Sequence, residues 1–141
     1  MFFGSYKHNL DAKGRLLIPA KFRSEAGNTL YIMRGFDGAL SIYKVSEFEK
    51  LMNSIETLPF NKRDSRDYLR VQLASVRELE VDTLGRVLLP KELLTKYKIG
   101  KEVIVIGVGD HLEVWDKLVY EEYEKRTNEQ FEKIAEVIEK E

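Results

Sequence analysis

Hydrophobic positions along the 141-residue chain fall in short runs broken by turn-forming residues. Aliphatic triplets at 16–18 and 87–89 each end at a proline, Pro19 and Pro90. Proline pushes the residue before it into extended backbone, so short strands are predicted over 15–18 and 86–89. The same prolines suit the first turn of a following short helix. Phe22 with Ala26, and Leu93 with Tyr97, give that helix an i, i+4 apolar inner edge. Next come "LYIM" and "VIVI", then a Gly/Asp turn ("GFDG", "GVGD"), then "LSIY" and "LEVW". Two β-hairpins flanking a short helix are thus predicted twice over.

The two halves also share their spelling. "LDAKGRLLIPAKF" and "VDTLGRVLLPKEL" both read Asp-x-x-Gly-Arg, three aliphatics and Pro, with Asp11 and Asp82 lying 71 residues apart (82 − 11). The register continues downstream, pairing Asp37 with Asp110, Leu40 with Leu112 and Tyr43 with Trp115 once one deletion is allowed. Phe48 and Leu51 then match Tyr120 and Tyr123. A unit this small buries too little apolar surface alone, so two are expected to interlock around one core. The predicted organisation is a first repeat over 1–56, a linking helical segment over 57–75, a second repeat over 76–116 and a C-terminal helix over 117–141.

Neither added segment reads as a groove-reading helix. Lys62, Arg63, Arg66 and Arg70 are interleaved with Asp64 and Asp67 at helical spacing, which predicts an exposed, salt-bridged helix. Whether Arg66 or Arg70 meets a partner is left open by the spacing. The terminal segment carries Tyr120, Tyr123, Phe131, Ile134 and Ile138 near helical spacing, a stripe that serves either core packing or a subunit contact.

Composition adds limits. At 43% hydrophobic and 33% charged, the chain is that of a folded domain and not a disordered one. The absence of cysteine excludes disulfides and Cys-based zinc sites and fits a reducing compartment. No apolar run approaches the roughly 20 residues that span a bilayer, and the first residues form no apolar signal region, so a cytoplasmic protein without a membrane partner is expected. The net charge of −1 hides a gradient. Residues 1–23 hold five bases against Asp11 alone, whereas residues 117–141 hold five bases against eight glutamates. A basic working end and an acidic far end follow.

The repeated device has a clear local chemistry. The Asp11 and Asp82 carboxylates can accept backbone N–H groups two residues on and so open a turn. Gly14 and Gly85 supply positive φ, and Arg15 and Arg86 begin the next strand. Strand alternation puts Leu16 and Ile18 on one side and Arg15 with Leu17 on the other. A guanidinium so presented suits phosphate or the O6/N7 edge of guanine; it also suits an Asp–Arg pair that merely staples the turn. A carboxylate dyad of Asp11 and Asp82 is disfavoured, because each has an Arg that keeps it ionised. His8 and His111 occupy non-equivalent positions and lack supporting ligands, so no metal site is expected. "GVGDHL" lacks the rest of a phosphate loop. With no nucleophile–base pair, no catalytic residue and no cofactor are expected, and the chain reads as no enzyme.

"GSYKHNLDAKGRLLIPAKFR", "VDTLGRVLLPKEL" and "IVIGVGDHLEVWD" together resemble the MraZ family of bacterial transcriptional regulators, over nearly the whole chain. The resemblance implies an α+β fold, a swapped-hairpin, double-psi-like β-barrel of the AbrB/SpoVT kind built from two ββαββ repeats with added helices. It implies ring-shaped homo-oligomers, an octamer being the expected size. It implies a nucleoid-associated regulator that binds double-stranded DNA with short direct repeats in the promoter of the division and cell-wall (dcw) gene cluster, including its own gene. The family's DNA-contacting loops land on Asp11 to Arg15 and Asp82 to Arg86, assigning contact to Lys13, Arg15 and Arg86 and the turn scaffold to Asp11, Gly14, Asp82 and Gly85. Only the first loop carries a second base, Lys13 against Leu84, so unequal contributions are expected, Lys13 and Arg15 ranking above Arg86. The competing readings are a protein-interaction scaffold ring and a carboxylate-dyad enzyme.

Overall fold

The computed structural model describes residues 1–140. The first half runs β1 (Ser5–Asn9), β2 (Arg15–Leu17), α1 (Ala20–Ala26), β3 (Thr29–Arg34), β4 (Leu40–Lys44) and α2 (Val45–Glu56). After α3 (Arg63–Ala74) the order recurs as β5 (Arg77–Glu80), β6 (Arg86–Leu88), α4 (Lys91–Lys96), β7 (Glu102–Gly107), β8 (Leu112–Asp116) and α5 (Lys117–Glu129), and α6 (Phe131–Lys140) follows. The fold is α+β, with antiparallel strand pairing throughout.

The helix starts follow from the prolines, one position later than the spacing suggests. Pro19 and Pro90 sit just before α1 and α4 with φ of −55° and −62°. Their carbonyls accept the first helical N–H bonds, from Phe22 and Arg23 and from Leu93 and Leu94. The ring therefore costs the helix no donor that it needs. Phe22 and Leu93 are buried beneath their helices, and Ala26 and Tyr97 pack against the same core.

Strand pairing departs from the expected hairpins. β3–β4 and β7–β8 are hairpins, but β1 pairs with β7, β5 with β3, and β2 with β6. The six-stranded sheet has the order β1-β7-β8-β4-β3-β5, and β2-β6 forms a separate two-stranded ribbon. The turn at Asp11 closes on itself, with Asp11 N–H bonded to Arg15 O at 3.1 Å, after which β1 and β2 diverge. β1 continues along the other half instead, Leu10 N–H donating to Lys101 O; Val81 N–H donates to Asn28 O in the mirrored place. Each half thus lends its first strand to the sheet of the other.

One cluster of buried apolar side chains fills the space between sheet, ribbon and short helices, including Leu16, Ile18, Phe22, Leu30, Ile42, Val87, Leu89, Leu93, Val105 and Val114. Burying them removes their apolar surface from water, the main favourable term for a chain this size. A smaller cluster at the far side joins Ala39, Ile104 and Trp115 to Tyr120 and Tyr123 of α5.

The terminal segment is two helices, not one. The chain breaks at Gln130 (φ −114°, ψ 9°) between α5 and α6. The apolar stripe splits there as well: Tyr120 and Tyr123 pack on Trp115, whereas Phe131, Ile134, Val137 and Ile138 are exposed. The linking helix is also corrected. Among the described residues Arg63, Arg66 and Arg70 form no ion pair with Asp64 or Asp67; Arg66 donates to Phe60 O at 3.3 Å and Arg70 lies over the Phe60 ring. The Phe60 turn offers a carbonyl and a π face close to the helix start, and the two side chains fold back onto it. Gln72 and Ser75 anchor α3 to β3 through the backbone of Arg34.

Candidate nucleic-acid interface

Both Asp-x-x-Gly-Arg turns are built alike, atom for atom. Asp11 Oδ1 accepts the backbone N–H groups of Lys13 and Arg15, each at 2.9 Å, and Asp82 Oδ1 accepts those of Leu84 and Arg86 at the same distances. The second oxygen takes the arginine Nε–H, at 2.6 Å from Arg15 and 2.9 Å from Arg86. Gly14 and Gly85 hold φ of +86° and +81°, a region that costs an L side chain steric strain. Acceptance of three donors keeps each carboxylate ionised. The Arg15 backbone N–H, with its side chain and the Lys13 N–H, draws Asp11 down to about 2. Asp82 is lowered by the equivalent bonds from Arg86 and Leu84.

The turns are then tied to each other. Ile18 N–H donates to Gly85 O at 2.9 Å, and Leu89 N–H donates to Gly14 O at 3.1 Å. Arg86 Nη1 also reaches across to Asp11 Oδ2 at 3.9 Å. In the ribbon, Leu16 faces Val87, Arg15 faces Leu88 and Leu17 faces Arg86. Leu16 and Val87 point into the core and are almost wholly buried. Alternation therefore puts Arg15, Arg86, Leu17 and Leu88 together on the outer face, where the leucines are 44% and 57% exposed.

The predicted residues are accordingly brought together: Asp11, Gly14, Asp82 and Gly85 form the paired turns, and Arg15 and Arg86 share one outward face. The ion pair considered as a mere staple is present, and it uses Nε of each arginine. Among the described residues the Nη groups of Arg15 have no hydrogen-bond partner, so the staple aims the guanidinium without consuming it. Lys13 stands exposed at the tip of the first turn. Arg66 and Arg70 lie on α3 and are engaged by Phe60.

Spacing alone left out several neighbours. Lys91, at the start of α4, and Lys101, just before β7, line a cleft with Lys13 beside the first turn. Arg23 lies against the second turn, its guanidinium so close to Gly85 that a Cβ there would clash with Nη1. The available signal was the position of these bases one turn or one strand away from the motif, which becomes legible only once the repeats interlock. Among the described residues no three His, Cys, Asp or Glu side chains gather as a metal site. His111 instead stacks on Tyr43 with Nδ1 2.7 Å from Asp110.

Comparison with known proteins settles the family. The model described as "MraZ protein, putative antitoxin-like" matches residues 1–71 and again residues 73–139. The chain belongs to the MraZ family. Proteins named "Transcriptional regulator MraZ" align over nearly full length. That of Caldanaerobacter subterraneus subsp. tengcongensis is 45% identical over 136 residues, covering 96% of this chain and 95% of its own. That of Thermoanaerobacter pseudethanolicus is 44% identical with the same coverage. The MraZ protein of Desulforamulus reducens is 37% identical over 138 residues, covering 98% of this chain and 97% of its own. No helix among the described residues is long and apolar enough to cross a membrane.

Proposed function

We propose that this MraZ-family chain is a sequence-specific DNA-binding transcriptional regulator, and that the β2–β6 ribbon with its two turns is the DNA-contacting element. The observation that carries the reading is the shared outward face of Arg15 and Arg86, each aimed by its own aspartate. A two-stranded ribbon is of a size to enter the major groove, where a guanidinium meets guanine O6/N7 or a phosphate. Leu17 and Leu88 beside them offer the apolar contact that a thymine methyl takes. The curated relatives' name supports the regulatory role.

The finer reading follows. The exchange of β1 and β5 between halves supports reading the chain as a swapped-hairpin barrel made from two internal repeats, with proposed unit boundaries at 1–56, 57–75, 76–116 and 117–141. The operator consists of short direct repeats in the promoter of the division and cell-wall gene cluster, and the protein works in the cytoplasm at the nucleoid. One chain offers few cationic contacts for tight binding at physiological salt. Neighbouring subunits in a ring engage successive repeats and gain avidity. The exposed apolar face of α6 favours self-association. Asp11 and Asp82, held ionised as acceptors, are unsuited to share a proton, which speaks against a dyad enzyme.

Arg15→Ala is the direct test. It should abolish specific binding of a promoter fragment in a gel-shift titration, while sedimentation of the assembly stays unchanged. Unaltered affinity would reject the loop assignment.

A further inference from the structure

Turned end for end, a pseudo-symmetric ribbon shows DNA nearly the same face. Arg15 and Arg86 exchange places, as do Leu17 and Leu88, about the Leu16–Val87 pair. In residue type, nothing among those four distinguishes the two directions along a duplex. The surroundings do.

Equivalent positions around the turns differ in charge at several places, including Lys21 against Glu92 and Arg23 against Leu94, and three such differences gather beside the first turn. Lys13 answers to Leu84, Lys91 to Ala20 and Lys101 to Asn28. The last equivalence is fixed by the backbone, because Lys101 O and Asn28 O accept matching bonds from Leu10 and Val81. Lys13, Lys91 and Lys101 line one open cleft of about 490 Å³, floored by Leu94 and the glycines Gly14 and Gly100. All three are exposed, and among the described residues none joins an ion pair. Asp11, the acid on this wall, is occupied by Arg15 and two backbone N–H groups. The corresponding cleft at the second turn, about 380 Å³, is lined instead by Asn28, Glu80, Asp82 and Thr83. Arg23 is a base on that side. It occupies the place of Leu94 and lies half-buried across Gly85.

We infer that the lysine cleft seats a DNA backbone phosphate, and that this seat, lacking at the second turn, fixes the direction in which the chain lies on the duplex. The inference rests on the DNA-binding reading. Three exposed ammonium groups around a cleft open to solvent suit a phosphodiester, which needs charge and not a planar fork. Among the described residues the second cleft holds no lysine and carries Glu80, which repels a phosphodiester; Asp82 there is engaged by Arg86 just as Asp11 is by Arg15. Turning the chain round would exchange an attractive seat for a repulsive one.

The chain has no cysteine, so one can be introduced to carry an iron–EDTA group that cuts nearby DNA. Ser24 on α1 and Thr95 on α4 are exposed equivalents on the two sides. In the assembled full-length protein, Ser24→Cys and Thr95→Cys probes should cut a promoter fragment on opposite flanks of each bound site, one flank per probe. With Lys13, Lys91 and Lys101 all changed to Gln, each probe should cut both flanks at low salt, and affinity should fall with a shallower salt slope. Arginine at the three positions should keep the one-flank pattern. Cutting on both flanks by the unsubstituted chain, or a one-flank pattern surviving the glutamines, overturns the inference while leaving the DNA reading intact. Loss of assembly in place of altered cutting also overturns it, assigning the cleft to an acidic surface of a neighbouring copy. A wild-type chain that binds no promoter fragment removes both readings together.

Discussion

Asp11 does two jobs at the scale of single residues: its carboxylate closes the turn and fixes the direction of Arg15. Its lowered titration point makes this measurable. A carboxyl depressed from 3.8 to about 2 in the fold contributes stability that is complete above pH ~4 and lost as the pH falls toward 2. A carbon-13 titration of the Asp11 carboxyl should therefore show a midpoint near 2, with the Lys13 and Arg15 amides moving alongside it. A midpoint at the ordinary value would mean that the turn is open in solution. Arg86 is tested by salt: if it meets one phosphate, Arg86→Ala should lower the log–log slope of binding by roughly 0.9, and an unchanged slope would make it a structural residue. At this scale the sequence was a good guide. Positive φ at both glycines and the burial alternation from Arg15 to Ile18 follow from residue identities and local sterics, which need no distant partner.

Among the elements, the helices divide by what covers them. α1 and α4 are short, begin where a proline supplies the first acceptor, and survive by burying Phe22 and Leu93. α5 is held by Trp115, which is almost wholly buried against Tyr120 and Tyr123 at ring separations of 5.3 and 4.8 Å. Trp115→Ala should cost about 3–5 kcal/mol in denaturant unfolding, and selective loss of α5 protection in hydrogen exchange should accompany it. A loss below about 1 kcal/mol would mean that α5 is docked by other contacts. The helix break at Gln130 and the return of Arg66 and Arg70 to Phe60 were illegible in the sequence. Periodicity records which side of a helix is apolar, but it does not record whether a wall stands opposite it.

For the whole molecule, the decisive fact is that neither half completes its own sheet. β1 finds β7 and β5 finds β3, so the long-range pairing closes the fold. Spacing predicted the strands and misjudged their partners, since a turn sequence specifies a bend and leaves the path beyond it to packing. Separating the halves makes this testable. A fragment of residues 1–75 should not fold as a monomer; a second copy supplies β3 as the stand-in for β7, giving a dimer whose thermal midpoint rises with concentration. Sedimentation equilibrium checks it, and a stable monomeric fragment would show that the exchange is dispensable.

The reciprocal bonds between each turn and the strand of the other, Ile18 to Gly85 and Leu89 to Gly14, yoke the two sites mechanically. Backbone injury at either one should therefore be felt at both, so the pair fails as a unit. Side chains at the tips carry no such burden. Lys13 and Leu84 stand outside the yoke, which leaves a duplicated scaffold free to acquire a front and a back by drift at its margins alone.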